Sequence, residues 1–312
     1  MRNDDVSVAS LRVLVAIVDT GSFTRAAERF GMTQSGVSQA VRTLERSLNG
    51  SVLLNRGRSG VSPTALGEKV ITHARQVLGH VDCIRQEVSA AAGVRTGKLR
   101  IGSVTSAAVR LLPGLIRTFQ HQYPKVEIVL VEGTDQEVRE WVLAGIVDVG
   151  FAALPQKGLK SKVVASDEVL LIVPKRHRLA GRTSARLSEI RDEPFLMSKA
   201  GCEPMIRAMF RAAGIMPRVA LEVREVSTLL ALVSEGVGLS LVPELAIPPD
   251  ARGLARVSLE PRSVRRLGML VAPEAPRSPV LSAFLGMARE AMTGLVYQVL
   301  GPSGKLQKFA HK

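Results

Sequence analysis

At 312 residues, 46% hydrophobic and 22% charged, the chain has the composition of a soluble globular protein with room for two or three domains and a substantial core. No run approaches a membrane span, and Met1 to Asp5 is polar with two acids, unlike the basic start and apolar run of a signal peptide, so a cytoplasmic location is expected. Two cysteines far apart, Cys83 and Cys202, offer no disulfide framework and fit a reducing compartment. The net charge of +14 invites a polyanionic partner, but residues 1 to 67 hold eight Arg against five acids, so eleven of the fourteen excess charges lie further on. Net charge alone therefore does not locate a nucleic-acid site; the other excess is open to solubility, a second contact with bent DNA, or a bias toward acidic ligands.

In chain order, Val8 to Val18 places Leu11, Leu14, Val15 and Val18 at helical spacing and predicts a scaffold helix. From Ser22 to Leu48 two helical patterns are joined by a break at Gly31-Met32, which reads as a helix-turn-helix. Ser22 is placed to cap the first helix, and Ala26 and Ala27 leave no bulk against a close second one. Thr33 is placed to cap that second helix, whose Val37, Val41, Leu44 and Leu48 form an apolar stripe. The opposite face carries Ser35, Ser38, Gln39, Arg42 and Arg46, led by Gln34. Amide, hydroxyl and guanidinium groups in such a row read base edges and clamp phosphates from the major groove. An amphipathic hairpin with a solvated face would show the same pattern, and the segment after Leu48 separates the two. Val52-Leu53-Leu54 and Gly60-Val61 are short β-like runs around Asn55 to Ser59, a turn with Arg56 and Arg58, as in the wing of a winged helix-turn-helix. The candidate DNA contacts are Thr24, Arg25, Thr33, Gln34, Ser35, Ser38, Gln39, Arg42, Arg56 and Arg58.

The run Gly21-Ser22-Phe23-Thr24 with Ala26-Ala27, then Thr33-Gln34-Ser35 with Val37-Ser38, Leu44-Glu45, Leu54-Asn55-Arg56 and Thr64-Ala65-Leu66-Gly67, resembles the amino-terminal domain of LysR-type transcriptional regulators in order and spacing. The resemblance implies double-stranded promoter DNA as a partner, pairing of chains through a long linker helix, assembly as a dimer or homotetramer, a small-molecule effector, and contact with RNA polymerase on activation.

Thr64 is placed to cap a long helix from Ala65 to about Ala92. Ala74, Val81 and Val88 repeat every seven residues, as do Val70, Val77, Ile84 and Ala91, and the two series are offset by three. This a/d seam wants a partner helix, and Val70, Ala74, Val77, Val81, Ile84 and Val88 are its candidate contacts. His73 and His80 stand two helical turns apart, about 10 Å, too far for one ion, so no metal site is expected. Gly93 and Gly97 mark a hinge at 93–97.

From Lys98 the pattern alternates strand and helix: Leu99 to Val104, a helix over Ala107 to Gln122 despite Pro113, Val126 to Val131, a helix over Asp135 to Ala144, and Val147 to Ala152. This βαβαβ order predicts a parallel, doubly wound unit. A second unit begins at Val169 to Val173 and continues through Phe195-Leu196-Met197, a helix near Pro204 to Ala213, Arg218 to Val223, a helix from Ser227 to Ser234, and Gly238 to Val242. Arg266 to Val271 returns as a strand and Val280 to Val299 as a last helix. The expected fold is therefore α/β: a winged helix-turn-helix at 1–64, a linker helix at 65–92, and a two-lobed effector domain like that of periplasmic solute-binding proteins. Its lobes are 98–167 with 272–300, and 168–271; a polar tail at 301–312 is expected to be disordered.

Ligands of open α/β units bind beyond the carboxyl ends of the strands. That rule selects Ser103, Thr105 and Ser106, then Gly133 and Thr134, then Ser198 through Cys202, a set of hydroxyls and amides suited to a carboxylate or other small anion. The resemblance agrees, since family members commonly bind effectors with Ser or Thr near Ser106. Each hydroxyl could instead merely cap a helix. A redox role for Cys202 would need a resolving partner, and Cys83 lies in the linker helix. No cofactor or catalytic motif is found: there is no Gly-x-Gly-x-x-Gly, P-loop, His-Glu-x-x-His or Gly-x-Ser-x-Gly, and the acid pairs Asp167-Glu168 and Asp192-Glu193 read as solvated loop charge. No enzyme is expected. Residues 98 to 300 taken alone would read as a solute-binding module without DNA regulation.

Overall fold

The computed structural model describes residues 6–57, 60–91, 96–293, 299–300 and 306–307. Contacts divide the chain into two compact units, one built on the first 95 residues and the other on most of the remainder.

The first unit opens with α1 (Val8–Thr20), α2 (Phe23–Phe30) and α3 (Gln34–Ser47). Ser7, Ser22 and Thr33 each accept a backbone N–H at their helix start, and Gly21 and Gly31, with φ of 64° and 62°, end α1 and α2 in the left-handed region that glycine enters without strain. Ala26 is fully buried and Ala27 nearly so, which allows α2 to lie close on α3. Leu14, Ile17, Val37, Val41 and Leu44 close the core beneath.

The wing is an antiparallel pair, β1 (Leu54–Gly57) and β2 (Gly60–Pro63). The first strand starts two residues later than expected and takes in Asn55 and Arg56, because Leu53 is drawn into the core and its N–H is held by Glu45 at 2.9 Å. Thr64 caps α4 (Ala65–Ala91) by accepting the Gly67 N–H at 2.9 Å. Gly67 is a steric requirement: a β-carbon there would stand 2.0 Å from the Leu53 carbonyl oxygen. Near its start α4 buries Ile71 and Ala74 against the core that α1 supplies. Further along it leaves Val77, Ile84 and Val88 exposed by 41%, 64% and 68%.

In the second unit β3 (Gly97–Ser103), β4 (Val126–Glu132) and β5 (Val149–Ala153) are parallel, with β3 central. The expected single helix is two, α5 (Thr105–Arg110) and α6 (Leu112–Gln122), since Pro113 sits in the first turn of the second and cannot continue the first. With α7 (Asp135–Leu143) and α10 (Pro279–Thr293) they pack a core in which Phe119, Phe151 and Phe284 meet edge to face.

The boundary expected at 167/168 falls inside one strand, β6 (Lys160–Pro174), which runs from one lobe into the other. Its partner β12 (Val264–Val271) returns antiparallel beside it from Val264↔Glu168 to Val271↔Lys160. The two crossovers are thus a hydrogen-bonded pair, and the sheet is mixed rather than all parallel. The second lobe adds β7 (Ser184–Ala185), β8 (Pro194–Ser198), α8 (Glu203–Ala212), β9 (Arg218–Val223), α9 (Val226–Ser234) and β10 (Ser240–Pro243). It is completed by β11 (Leu254–Leu259), a strand not expected from the sequence, which pairs antiparallel with β6. The last helix is described as far as Thr293, Val299, expected at its end, lies in a strand pair with Leu306–Gln307, and those two residues are all that is described of the expected tail.

Candidate functional site

On the first unit, Gln34, Ser35, Gln39 and Arg42 of α3 are exposed, with Thr24 and Arg25 on α2. Thr33 is exposed but its hydroxyl is committed to the Gly36 N–H at 3.1 Å and to Ser35 at 3.0 Å. Ser38 departs from expectation. It is buried, and its Oγ accepts Arg42 Nη2 at 3.1 Å and Arg56 Nη2 at 3.3 Å. Arg56 reaches from β1 across to α3 and lies 4.4 Å over the Phe23 ring. The serine is therefore a mount for two arginines, and Phe23 is a platform that helical spacing alone does not mark out. A guanidinium fixed by stacking and a hydrogen bond loses less freedom when it meets a phosphate than a mobile one would. Arg58 and the tip of the wing lie outside the described residues.

On the second unit, a cleft of ≈ 370 Å³, counting its solvent-open mouth, is lined by Thr105 and Ser106 from one lobe and by Ser198 and Cys202 from the other, with Asp135 and Arg265. Arg265, on β12, is 5% exposed and donates Nε to Asp167 Oδ1 and Nη2 to Asp167 Oδ2, both at 2.9 Å; Nη2 also reaches Ser106 Oγ at 3.0 Å. Asp167 further accepts the Leu245 N–H at 3.0 Å. Burial works against the charge on Arg265, yet the Asp167 carboxylate outweighs it and holds the arginine above its usual pKa. Burial raises Asp135, opposed by the Ala153 N–H it accepts at 2.7 Å and by Arg265. Burial likewise pushes the Cys202 thiol up to about 11, which keeps it a thiol at neutral pH.

Of the expected set, Thr105, Ser106, Ser198 and Cys202 come together here. Ser103 is fully buried and donates to the Val104 carbonyl at 3.0 Å. Gly133 answers to packing, since a β-carbon would stand 2.5 Å from the Trp141 ring. Thr134 caps α7, exchanging hydrogen bonds with Glu137 in a reciprocal box whose N–H and hydroxyl lower the Glu137 pKa. The other correction concerns acids expected to be solvated. Asp167 and Glu168 are 2% and 0% exposed within β6, and Glu193 pairs with His177 at 2.7 Å and Arg178 at 2.5 Å. The signal was a pair of acids abutting the apolar run Val169–Val173, balanced by Arg262 and Arg265 about a hundred residues on.

Residues 8–68 match the bacterial regulatory helix-turn-helix protein, lysR family, and residues 92–293 match the LysR substrate binding domain. A probable HTH-type transcriptional regulator of Synechococcus elongatus, LrrA, is 34% identical over 288 residues, which are 91% of this chain and 97% of that one. Among solved structures, a full-length OxyR variant from Pseudomonas aeruginosa superposes with a TM-score of 0.74 at 23% identity, covering 91% of this chain and 95% of that one, a likeness of fold. Full-length CbnR complexed with its target DNA does so with a TM-score of 0.53 at 25% identity, covering 92% and 100%. With a winged helix-turn-helix, a long helix after it and a two-lobed domain holding a cleft, the chain belongs to the LysR family of DNA-binding transcriptional regulators with an effector-binding domain.

Proposed function

We propose that this regulator works in the cytoplasm as a homotetramer, without catalytic activity, and activates transcription through contact with RNA polymerase when a small carboxylate occupies the cleft. Residues 1–64 form its DNA head, 65–92 its pairing helix with 93–97 as hinge, and 98–167 with 272–300 and 168–271 the two lobes. Gln34, Ser35 and Gln39 read bases, while Thr24, Arg25, Thr33, Arg42, Arg56 and Arg58 hold the backbone, with Ser38 positioning two of the arginines. Val77, Val81, Ile84 and Val88 form the seam between paired helices, supported by the exposure of Val77, Ile84 and Val88 in the single chain; Ala74 serves the chain's own core and Val70 packs at its margin.

The observation that carries the effector reading is the buried group Ser106–Arg265–Asp167. It ties α5 at the cleft wall to both strands that cross between the lobes, so a ligand touching Ser106 acts on the connection itself. Because Arg265 is already neutralised by Asp167, and Asp135 stands nearby, the carboxylate is held by neutral donors. Thr105, whose side chain makes no hydrogen bond among the described residues, is the first of these, with Ser198 across the cleft. The high pKa of Cys202 supports reading it as cleft wall rather than redox centre. Footprinting of the promoter beside the chain's own gene, with a panel of small carboxylates, tests the whole reading. A chain lacking residues 1–92 that keeps ligand affinity and loses DNA binding separates it from a solute-binding module.

A further inference from the structure

Behind the cleft lies a pair of buried acids that the effector reading does not use. The β10–β6 ladder pairs Val242 with Leu170 and Pro243 with Val169. Glu244 follows Pro243 directly, Glu168 precedes Val169 on β6, and the Leu245 N–H donates to Asp167 at 3.0 Å. Glu168 is 0% and Glu244 5% exposed. Glu168 Oε2 accepts Arg262 Nε at 2.6 Å, while Glu168 Oε1 and Glu244 Oε2 are both buried without a hydrogen-bond partner among the described residues. Two ionised carboxylates so placed would leave two desolvated oxygens facing like charge. One proton removes the repulsion and turns an orphaned acceptor into a donor.

We propose that Glu244, buried beside Asp167 and Glu168, is held in its protonated form, and that losing this proton loosens the turn Glu244–Ala246 that backs the cleft. Glu168 is paired with Arg262 at 2.6 Å, and Glu244 makes no ion pair among the described residues. The charged groups around Glu244 come from every element packed on it. Burial lifts its carboxyl to about 7, Asp167 and Glu168 on β6 add to the rise, and Arg256 on β11 and Arg262 in the following loop oppose it. Arg265 on β12 is occupied by Asp167, and α5, which packs on the turn, carries Arg110 and no acid. The turn reaches the cleft through Ala246, which lines it, and through Leu245, whose N–H holds the partner of Arg265.

A carboxyl whose pKa is raised on folding contributes stability that is complete below the unfolded carboxyl range and is lost as pH rises through the folded value, here about 7. Thermal unfolding of the full-length chain, without effector or DNA, should therefore show a midpoint that falls from about pH 5 and levels off above about pH 7, with unfolding at about pH 6 releasing nearly one more proton than in Glu244→Gln. The glutamine keeps the donor and cannot titrate, and comparison with it cancels the five histidines. Equal slopes in the two proteins would overturn the proposal. Should the variant fail to fold, the infrared spectrum of the wild-type chain decides: a protonated buried carboxyl present at about pH 6 and lost by about pH 8 supports the proposal, and its absence at the lower pH refutes it. Any effect on effector affinity rests on the reading of the cleft above. The proton is measured without effector, so the two stand or fall separately.

Discussion

Replacing Asp167 with alanine removes the counter-charge of a guanidinium whose side chain is 4% exposed. It also strips acceptors from Arg265 Nε, Arg265 Nη2 and the Leu245 N–H, all of which lie at 2.9 or 3.0 Å from that carboxylate. Ser106, at 3.0 Å, is left to Arg265 Nη2, with Cys202 and Asp135 close by. Breaking a buried pair in this way costs about 3 to 5 kcal/mol, a large share of the roughly 5 to 15 kcal/mol by which domains are stable. With a urea slope of about 2 to 3 kcal/mol/M, the unfolding midpoint should fall by about 1 to 2.5 M. Circular dichroism of the full-length chain at fixed protein concentration reads it. The double replacement Asp167→Leu with Arg265→Met, which removes both charges, should recover most of the loss, because an apolar pair of similar volume is often neutral. A single-variant cost below about 1 kcal/mol, or a double variant worse than the single, would refute the claim that this pair is a closed buried unit.

Gln39→Ala should relax base preference at one operator position by about 1 to 3 kcal/mol, whereas Arg56→Ala should weaken all sequences alike and lower the salt slope of binding; affinities against single-base operator variants at several salt concentrations check both. Phe23→Leu should reproduce a diluted Arg56→Ala effect by freeing the arginine, whose ring contact is 4.4 Å, and equal affinity in variant and wild type would remove the platform role. Ile84→Asp places a charge at a position 64% exposed in the single chain, and sedimentation should show a smaller species if α4 pairs there, at a cost of several kcal/mol per buried charge. Thr105→Val should weaken effector binding by about 1 to 3 kcal/mol at unchanged stability, while Ser106→Ala should also lower stability by orphaning a donor of Arg265; calorimetry and denaturation of both variants separate the roles.

The residues legible in the sequence are those whose role is local. Ser22, Thr33 and Thr64 cap the helices they precede, and Val37, Val41 and Leu44 sit at a spacing that only a buried helix face explains. The apolar repeat along α4 is visible for the same reason, although Ala74 turns inward because α1 lies against that part of the helix. What cannot be read is long-range. Nothing near Arg265 in the sequence announces that Asp167 lies opposite it, ninety-eight positions away, because the contact comes from the pairing of β6 with β12. Asp167-Glu168 look solvated only as long as β6 is taken to start at Val169; it begins at Lys160 and passes through them. Gly133 and Thr134 satisfy the rule for strand ends and still serve packing and capping, since that rule locates a region without saying which hydroxyl is free.

The most direct test is footprinting of the promoter beside the chain's own gene with full-length wild-type and Thr105→Val proteins, each with and without the small carboxylate that shifts the wild-type pattern. The account predicts protection of two half-sites by both proteins, with the effector changing the pattern of the wild type and needing about 5- to 150-fold more ligand to change that of the variant. Protection that no small carboxylate alters, or an identical effector dependence in both proteins, would contradict it.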